Sequence, residues 1–382
     1  MLAVFCPGQG AQSAGFLTPW LDAYDVRPRL SALSGPAGLD LEAAGTDPDY
    51  DVVDTAAAQP LLVAAAVVTA ELLGELPADA VVVGHSVGEL AAAAVAGAVA
   101  PEDAVALAAR RGAAMARACT EAAGGMTAVL GGDADAVQEA VERAGCVAAN
   151  VNGAGQVVAA GPREALERLA AAPPPGARLR PLSVAGPFHT PWMAPAADEL
   201  AEAVEKVSVA PHHRGVVSNL DGAVVTDGAL LGQRIVTQLT APVRFDLCLQ
   251  TLRALGVTAV VEVAPGGVLA GLARRELPGV DVVALRGPDD LDAARELVSA
   301  RRASGEHLAP DWKLVVAPAK GTFHPLTAAH RVDVTDDGRL GVVTNRSGDV
   351  VVAAEPAAVV VEWLAADGDP VAEGQPLARV HA

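Results

Sequence analysis

Positive charge is scarce in this 382-residue sequence: 27 lysines and arginines stand against 46 aspartates and glutamates, a net charge of −19. A nucleic-acid-binding protein needs a basic face that neutralises phosphates, and an anionic membrane surface attracts the same kind of face. The charge balance therefore argues against both functions. An acidic protein partner would need a local cluster of arginines, and Arg244, Arg274 and Arg275 are the candidates for it.

Cysteines and long apolar runs are also few. The four cysteines, Cys6, Cys119, Cys146 and Cys248, form no C-x-x-C pair. We therefore predict no metal site and no thioredoxin-like site, and we expect a reducing cytoplasm. The apolar stretches 61–73 and 91–109 are short or interrupted by charge, and a spanning helix needs roughly 20 apolar residues. The N-terminus has no cationic region before its apolar run, so no signal peptide is expected.

What is present is a globular composition, with 52% apolar and 19% charged residues. The apolar runs 2–6 and 80–83 predict buried strands, and 59–76 and 87–99 predict helices. Strand, tight turn and helix in succession indicate a doubly wound α/β unit.

The middle of the chain predicts a different arrangement. Strands are expected at 126–130, 147–151, 156–160 and 179–184, and helices at 134–144 and 163–172. This is the β-α-β-β-α-β order of a ferredoxin-like unit. The α/β pattern then resumes, with helices at 196–207 and 245–255 and strands at 215–219 and 259–263. We therefore predict a large subdomain of residues 1–124 and 188–298, interrupted by a small subdomain of residues 125–187.

The last part of the chain differs again. Residues 299–311 are mostly polar and predict a linker. Residues 312–382 contain short valine-rich runs separated by glycine and aspartate, a pattern typical of a small all-β domain.

The sharpest local signal is Gly84-His85-Ser86-Val87-Gly88, between a predicted strand and a predicted helix. In that context G-x-S-x-G is typical of a nucleophile elbow, which lifts the serine Oγ to the carboxyl edge of the sheet. Glycine is needed because a side chain there would collide with the neighbouring strand or helix. Ser86 is therefore the candidate nucleophile, and a structural turn with a capping serine is the alternative.

A serine nucleophile needs a general base. His189 follows the small subdomain, where the chain returns to the large one, and clefts lie at such junctions. By spacing alone it is an ordinary loop histidine. His85 adjoins Ser86, but neighbours in an elbow point apart, so we expect a structural role for it.

Several further motifs, in order along the chain, resemble those of the malonyl-CoA:acyl-carrier-protein transacylase family. They are 5–12 (FCPGQGAQ), 84–89 (GHSVGE), 110–112 (RRG), 150–152 (NVN), 188–189 (FH), 238–239 (QL) with 242–244 (PVR), and 262–266 (EVAPG). The resemblance covers about residues 1–290 and implies an α/β-hydrolase-like large subdomain. The sequence departs from the family at Cys6, where Phe is usual, and at Pro187, where a small residue is usual.

The resemblance implies catalytic roles. Ser86 would be the nucleophile and His189 the general base. The backbone carbonyl of Gln238 would orient His189, replacing the acid of a Ser-His-Asp triad. The N–H groups of Gln9 and Val87 would form the oxyanion hole.

The resemblance also implies substrate contacts. Arg111 would bind the malonyl carboxylate, because a guanidinium offers two planar donors in a dry pocket. Asn152 would line the cleft. In the polyketide branch of the family, Phe before the histidine goes with malonyl and Ser with methylmalonyl, so Phe188 implies malonyl. One methyl group is worth about 1–3 kcal/mol of such discrimination.

Residues 312–382 resemble a biotinyl/lipoyl carrier domain. Segment 316–323 is similar to its first strand and turn, and segment 361–377 to its last hairpin. A gapless count back from Trp363-Leu364 places Ser347 where that family carries its modified lysine. Attachment requires an amine, so neither biotin nor lipoate is expected. We interpret the segment as a degenerate domain used for stability, docking or self-association.

The leading hypothesis is an acyltransferase of polyketide or fatty acid biosynthesis. It would move a malonyl group from malonyl-CoA, through a Ser86 ester, to the phosphopantetheine thiol of a holo acyl carrier protein. Neither cofactor nor metal is expected. Two alternatives stay open: an editing hydrolase that passes acyl groups to water with the same Ser86–His189 pair, and a non-enzymatic scaffold. Arg111 counts against the hydrolase for unsubstituted acyl chains.

Overall fold

The computed structural model describes residues 1–305 except 122, 154 and 213, and then residues 312–326, 332–333, 338–354 and 359–381. The strands before residue 305 are β1 (Leu2–Cys6), β2 (Val81–Gly84), β3 (Gly124–Gly131), β4 (Val147–Gly153), β5 (Gln156–Pro162), β6 (Ala177–Pro181), β7 (Val216–Val217), β8 (Val224–Val225), β9 (Val243–Arg244), β10 (Ala259–Glu262) and β11 (Asp281–Ala284). The helices are α1 (Thr18–Ala23), α2 (Arg27–Ala37), α3 (Leu41–Thr46), α4 (Thr55–Leu72), α5 (Gly88–Ala96), α6 (Pro101–Glu121), α7 (Ala134–Arg143), α8 (Arg163–Ala171), α9 (Ala194–Val204), α10 (Gly228–Thr237), α11 (Phe245–Ala254), α12 (Val268–Glu276) and α13 (Leu291–Gly305), with short 3₁₀ turns at Pro191–Met193 and Pro288–Asp290.

A six-stranded sheet of order β11-β10-β1-β2-β7-β8 forms the centre of the larger part. It is parallel except for the β7–β8 hairpin. In β1, Leu2, Val4 and Cys6 face one apolar cluster, and Ala3 and Phe5 face another. A strand buried on both faces is apolar throughout, which made β1 and β2 easy to predict. The α/β class predicted from the sequence is confirmed.

Helices α4 and α6 pack together on one side of this sheet. α4 begins at Thr55 rather than at the predicted Gln59, because the Asp54 side chain accepts a hydrogen bond from the Ala56 N–H and caps the helix. A Cβ at Gly112 of α6 would lie 2.6 Å from the Thr55 carbonyl oxygen, so glycine permits the close approach. By length and composition α4 could cross a membrane, but most of it is buried inside the protein, as in a core helix.

A second sheet has the order β6-β3-β5-β4-β9. Its first four strands are antiparallel, and the distant β9 extends the sheet parallel to β4. The predicted order of strands and helices is observed here. The last of these strands was predicted at 179–184 but spans Ala177–Pro181, with one further hydrogen bond of 3.0 Å from the Leu182 N–H to the Met126 carbonyl of β3. Because β7 and β8 belong to the first sheet and β9 follows them along the chain, residues 216–244 contribute strands to both sheets. The addition of β9 was not predicted.

The polar segment predicted as a linker from residue 299 begins as a helix. α13 continues to Gly305, and its buried residues Leu291, Ala294 and Val298 follow helical spacing. Their polar neighbours face solvent, which is why composition alone suggested a linker. Residues 306–311 of the predicted linker lie outside the described residues.

Among the described residues beyond 311, strands are the only regular elements. They are β12 (Trp312–Val316), β13 (Gly321–Pro325), β14 (Val332–Asp333), β15 (Arg339–Asn345), β16 (Gly348–Ala353), β17 (Val359–Trp363), β18 (Pro370–Val371) and β19 (Pro376–His381). They form two four-stranded sheets, β12-β19-β17-β14 and β16-β15-β13-β18, around Phe323, Val343 and Leu377. The two sheets are related: if each strand of the first order is replaced by the strand four places further along the chain, returning from β19 to β12, the second order results. Arg379 Nη2 of this part donates to the Arg253 carbonyl at 2.9 Å.

Candidate active site

Ser86 lies two residues after β2, in the turn that leads into α5 at the carboxyl edge of the large sheet. Its φ is +55°, in the left-handed region, which costs a non-glycine residue about 1–3 kcal/mol. Close packing enforces this turn. A Cβ at Gly84 would lie 2.1 Å from the Glu89 nitrogen, and one at Gly88 would lie 2.2 Å from the Cys6 carbonyl oxygen. Gly84 is therefore required by the backbone of the turn itself, and Gly88 by the end of the neighbouring strand β1.

His189 meets Ser86 from a different segment of the chain. Its Nε2 lies 2.8 Å from Ser86 Oγ, and its Nδ1 lies 3.0 Å from the Gln238 carbonyl oxygen. A carbonyl oxygen only accepts, so Nδ1 carries the proton and Nε2 is free to accept one from Ser86. The arrangement is that of a nucleophile, a base and an orienting group.

The surroundings keep His189 neutral. Burial, with a further contribution from the positive charge of Arg111, lowers the pKa of His189 to about 3, although the hydrogen bond to Gln238 opposes the shift. The imidazole is therefore unprotonated at neutral pH, which is the state that a general base requires.

Arg111 is buried on α6 and directs its guanidinium at the same serine. Nη1 donates to Gln59 Oε1 at 2.8 Å, and Nη2 donates to Ser86 Oγ at 3.1 Å and to Gln238 Oε1 at 3.4 Å. In the part of the chain that the structure describes, no carboxylate forms an ion pair with it. Burial lowers the pKa of Arg111 to about 10, partly offset by Glu89, so it stays charged at neutral pH. Two amides orient this buried cation without neutralising it.

Gln9 and Val87 flank Ser86 in a cavity of about 80 Å³. The backbone N–H of neither donates a hydrogen bond to another described group. Val87 is the N-cap residue of α5, at the end where the helix dipole is positive. Two free donors beside a nucleophile can stabilise the anion formed when a carbonyl is attacked.

The other predicted residues take different positions. Phe188 is buried and lines the cavity. Asn150, and not Asn152, belongs to the lining, because Asn152 Oδ1 lies 2.9 Å from His85 Nε2. His85 lines the cavity, so Asn152 contacts the site indirectly, through its hydrogen bond to His85.

Sequence reasoning missed several polar residues of the site. Gln59 is the one buried amide in the apolar helix α4. Asn150 belongs to the motif 150–152, in which the sequence analysis assigned a role only to Asn152. Glu89 lies under the elbow, and Asn219 follows β7 at the same sheet edge as Ser86. A polar residue just after a buried strand was the available signal for Asn219.

Comparisons with known proteins agree with one another. The family of the acyl transferase domain matches residues 4–295. A protein of Mycobacterium bovis named malonyl CoA-acyl carrier protein transacylase is 48% identical over 302 residues, which cover 78% of this chain and 100% of the relative. One of the same name from Escherichia coli (strain K12) is 36% identical over 303 residues, covering 76% and 97%.

Solved structures show the same similarity. The crystal structure of MCAT from Mycobacterium tuberculosis has a TM-score of 0.74 at 48% identity and covers 77% of this chain and 99% of its own. A complex of a type II PKS acyl-carrier protein with its malonyl-transacylase has a TM-score of 0.72 at 31% identity, covering 77% and 99%.

Proposed function

This chain belongs to the acyl transferase family, and from that premise we propose that Ser86, His189 and Arg111 together perform malonyl transfer. The enzyme is an acyl-carrier-protein S-malonyltransferase, which moves a malonyl group from malonyl-CoA to acyl carrier protein in fatty acid or polyketide biosynthesis. The observation that carries the assignment of residues is the meeting of His189 Nε2 and Arg111 Nη2 on Ser86 Oγ, at 2.8 and 3.1 Å.

In the first half-reaction, Ser86 Oγ attacks the thioester carbonyl of malonyl-CoA while His189 Nε2 takes the hydroxyl proton. The Gln9 and Val87 N–H groups stabilise the oxyanion. Collapse of the tetrahedral intermediate breaks the carbon–sulfur bond, and His189 returns the proton to the leaving thiolate. Coenzyme A departs as a thiol, and malonyl remains as a Ser86 ester.

The second half-reaction reverses these steps with a different thiol. The phosphopantetheine thiol of the holo carrier protein gives its proton to His189 and attacks the Ser86 ester. The same oxyanion hole serves again, and the alkoxide recovers the proton. The Gln238 carbonyl keeps the histidine tautomer constant through both halves.

Arg111 selects the acyl group. Its buried charge is already oriented by Gln59 and Gln238, and a malonyl carboxylate supplies the missing anion. Phe188 limits the room beside the α-carbon and favours malonyl over methylmalonyl. An editing hydrolase is not favoured, because the relatives are transacylases and an unsubstituted acyl chain would leave Arg111 unpaired.

Intact-protein mass spectrometry tests this assignment. We expect a malonyl adduct after mixing with malonyl-CoA, absent in Ser86→Ala and lost when holo carrier protein is added. Acetyl-CoA and methylmalonyl-CoA serve as controls. Release of malonate to water, without transfer to the carrier, would instead support a hydrolase.

We further propose a subdomain assignment. Residues 1–124 and 188–298 form an α/β-hydrolase-like large subdomain, and residues 125–187 form a ferredoxin-like one. The strand order β6-β3-β5-β4 and its antiparallel pairing support the latter.

Residues 312–382 form a degenerate biotinyl/lipoyl-like domain in this proposal. Eight strands in two related four-stranded sheets support it, as does the position of Ser347 in the turn between β15 and β16. Serine has no amine, so no biotin or lipoate is attached there.

The expected partner is a holo acyl carrier protein in the cytoplasm. Of the three arginines considered for its docking, Arg244 is engaged with Asp246 through hydrogen bonds of 2.9 and 2.7 Å. Arg274 and Arg275 are exposed on α12, and Arg274 Nη2 donates to the Val282 carbonyl at 3.0 Å, which leaves its charge uncompensated by that contact. These two therefore stay the candidates for contact with an acidic partner.

A further inference from the structure

The strained turn at Ser86 is tied to a residue that no motif singled out. Asn219 Oδ1 accepts a hydrogen bond from the Ser86 N–H at 2.8 Å, and Asn219 Nδ2 donates to the Gly84 carbonyl at 2.7 Å. One amide thus holds the turn on both sides of His85. Asn219 is fully buried.

The sheet explains why Asn219 lies there. β2 and β7 are parallel neighbours, with Val83 opposite Val217. Two residues further along each strand are His85 and Asn219, so the segment after β7 runs beside the elbow. The carboxyl ends of parallel strands meet at one edge, which brings the amide under Ser86.

Every polar group of Asn219 has a fixed partner. Its backbone N–H donates to Glu89 Oε1 at 2.7 Å, and its carbonyl accepts from the Arg244 N–H at 2.7 Å. The side-chain amide can adopt only one orientation, because it faces a backbone donor at Ser86 and a backbone acceptor at Gly84. Contacts with α5 and β9 therefore fix the backbone of Asn219, and contacts with the turn fix its side-chain amide.

The hydrogen bond from Ser86 to Asn219 also gives the two successive N–H groups of the turn different roles. The Ser86 N–H is engaged by Asn219, and the next N–H, that of the cavity-lining residue Val87, has no partner among the described groups. A rotation of the elbow that freed the Ser86 N–H would move Oγ away from His189 and Arg111.

We propose that Asn219 is a positioning residue for the acyl transfer, holding the left-handed elbow so that Ser86 Oγ stays between His189 and Arg111. This inference rests on the proposed function. It assigns to Asn219 no contact with substrate, so its loss should impair the reactivity of Ser86 more than the binding of malonyl-CoA.

The first test is Asn219→Ala, with Thr251→Val as the matched control. Thr251 is buried, and its hydroxyl donates to the Gly222 carbonyl at 2.7 Å, so the control weakens the same loop without touching the elbow. In Asn219→Ala we expect kcat for malonyl transfer to fall about 30-fold, with KM for malonyl-CoA changed less than about 2-fold. Thr251→Val should lower Tm but leave both constants unchanged.

A second readout separates positioning from malonyl binding. Phenylmethanesulfonyl fluoride sulfonylates an active serine and carries no carboxylate for Arg111. Its rate of reaction with Ser86 should fall about as much as kcat in Asn219→Ala and should not change in Thr251→Val. An unchanged sulfonylation rate in a folded Asn219→Ala protein would overturn the proposal.

Asn219→Asp keeps the proposal testable if the alanine variant does not fold. A neutral carboxyl can accept from Ser86 and donate to Gly84, as the amide does, whereas a carboxylate opposes the Gly84 carbonyl. The ionisable residues in contact with Asn219 are Glu89, Cys248 and Arg244, and His85 lies in the turn that the amide holds. Arg111, Asp221, Arg234 and Asp246 act on Glu89 or Cys248, and all of these groups are shared with the wild type. The variant-to-wild-type ratio of sulfonylation rates should therefore rise as pH falls from about 8 to about 5.5.

A pH-independent ratio would contradict the proposal. Failure of the proposed function looks different: the wild type would then form no malonyl ester at Ser86, whatever residue occupies position 219.

Discussion

Ser86 and Ser347 both lie in tight turns directly after a strand, and both occupy positions where a reactive or modified residue is expected. Ser86 lies in the left-handed region and is contacted by His189 and Arg111. Ser347 is exposed at the tip of the β15–β16 hairpin, where its N–H donates to Asn345 Oδ1 at 2.8 Å. The first turn leads into a helix and the second joins two antiparallel strands, and among the described residues distant groups contact the serine side chain of the first.

The difference between Ser86 and Ser347 shows which surroundings make a serine catalytically reactive. The groups at Ser86 come from α6, from the segment before α9 and from the end of α10, and they are buried together. The hairpin at Ser347 is held by its own residues, such as the contact of 2.7 Å between Thr344 Oγ1 and Asp349 Oδ1. An exposed serine without a base keeps its ordinary low nucleophilicity. Four predictions test this contrast, from the largest expected effect to the smallest.

Replacing the nucleophile should have the largest effect. We expect Ser86→Ala to reduce malonyl transfer by about 10⁴-fold or more, because the oxygen that carries the acyl group is lost. Ser347→Ala should retain wild-type transfer. Intact mass and a carrier-protein transfer assay measure both. A malonyl adduct that persists in Ser86→Ala and disappears in Ser347→Ala would reverse the contrast.

Removing the buried cation should be selective. We expect Arg111→Ala to lower kcat/KM for malonyl-CoA by about 10²–10³-fold, since a carboxylate would lose a buried, hydrogen-bonded partner. Acylation by acetyl-CoA should fall much less, because acetyl has no carboxylate. Arg111→Lys, which keeps the charge but not the planar fork, should be intermediate for malonyl. Equal losses for both thioesters in Arg111→Ala would refute the role in carboxylate binding.

Enlarging the cavity should have a smaller effect. In Phe188→Ser we expect the preference for malonyl-CoA over methylmalonyl-CoA to fall about 10-fold, because the ring no longer crowds the α-methyl group. Competition of the two thioesters, read by adduct mass, measures this ratio. Met115→Leu, at another residue of the cavity lining, is the control and should leave the ratio unchanged. An unaltered ratio in Phe188→Ser would mean that selection lies elsewhere.

The smallest effect concerns stability and pH. Burial raises the pKa of Glu89 from 4.5 to about 8. Between these values the folded state binds a proton that the unfolded state lacks, so Glu89 makes the free energy of unfolding fall as pH rises from about 4.5 to about 8. Glu89→Gln should weaken this fall, as measured by urea denaturation at pH 5, 6, 7 and 8. The same dependence on pH in both proteins would show that Glu89 does not titrate in this range.

Local patterns were enough to predict much of the fold. β1, β2 and the succession of strands and helices from β3 to β6 follow from apolar runs and turn residues, which act over a few neighbours. The boundaries were less accurate. The Asp54 cap places the start of α4 four residues before the predicted one, and β6 spans Ala177–Pro181 rather than the predicted 179–184. Polar residues on the solvent side of α13 were mistaken for a linker.

The sequence by itself indicated the elbow at Ser86, because an apolar strand followed by Gly84 and Gly88 is a recognisable local pattern, although the close contact of Gly88 is with Cys6 of β1. Only the tertiary structure decided which distant groups meet there. Asn219 reaches the elbow through the parallel pairing of β2 with β7, and Gln238 meets His189 across 49 residues. Such contacts depend on sheet register and helix packing, which bring together residues far apart in the chain, and no local pattern encodes them.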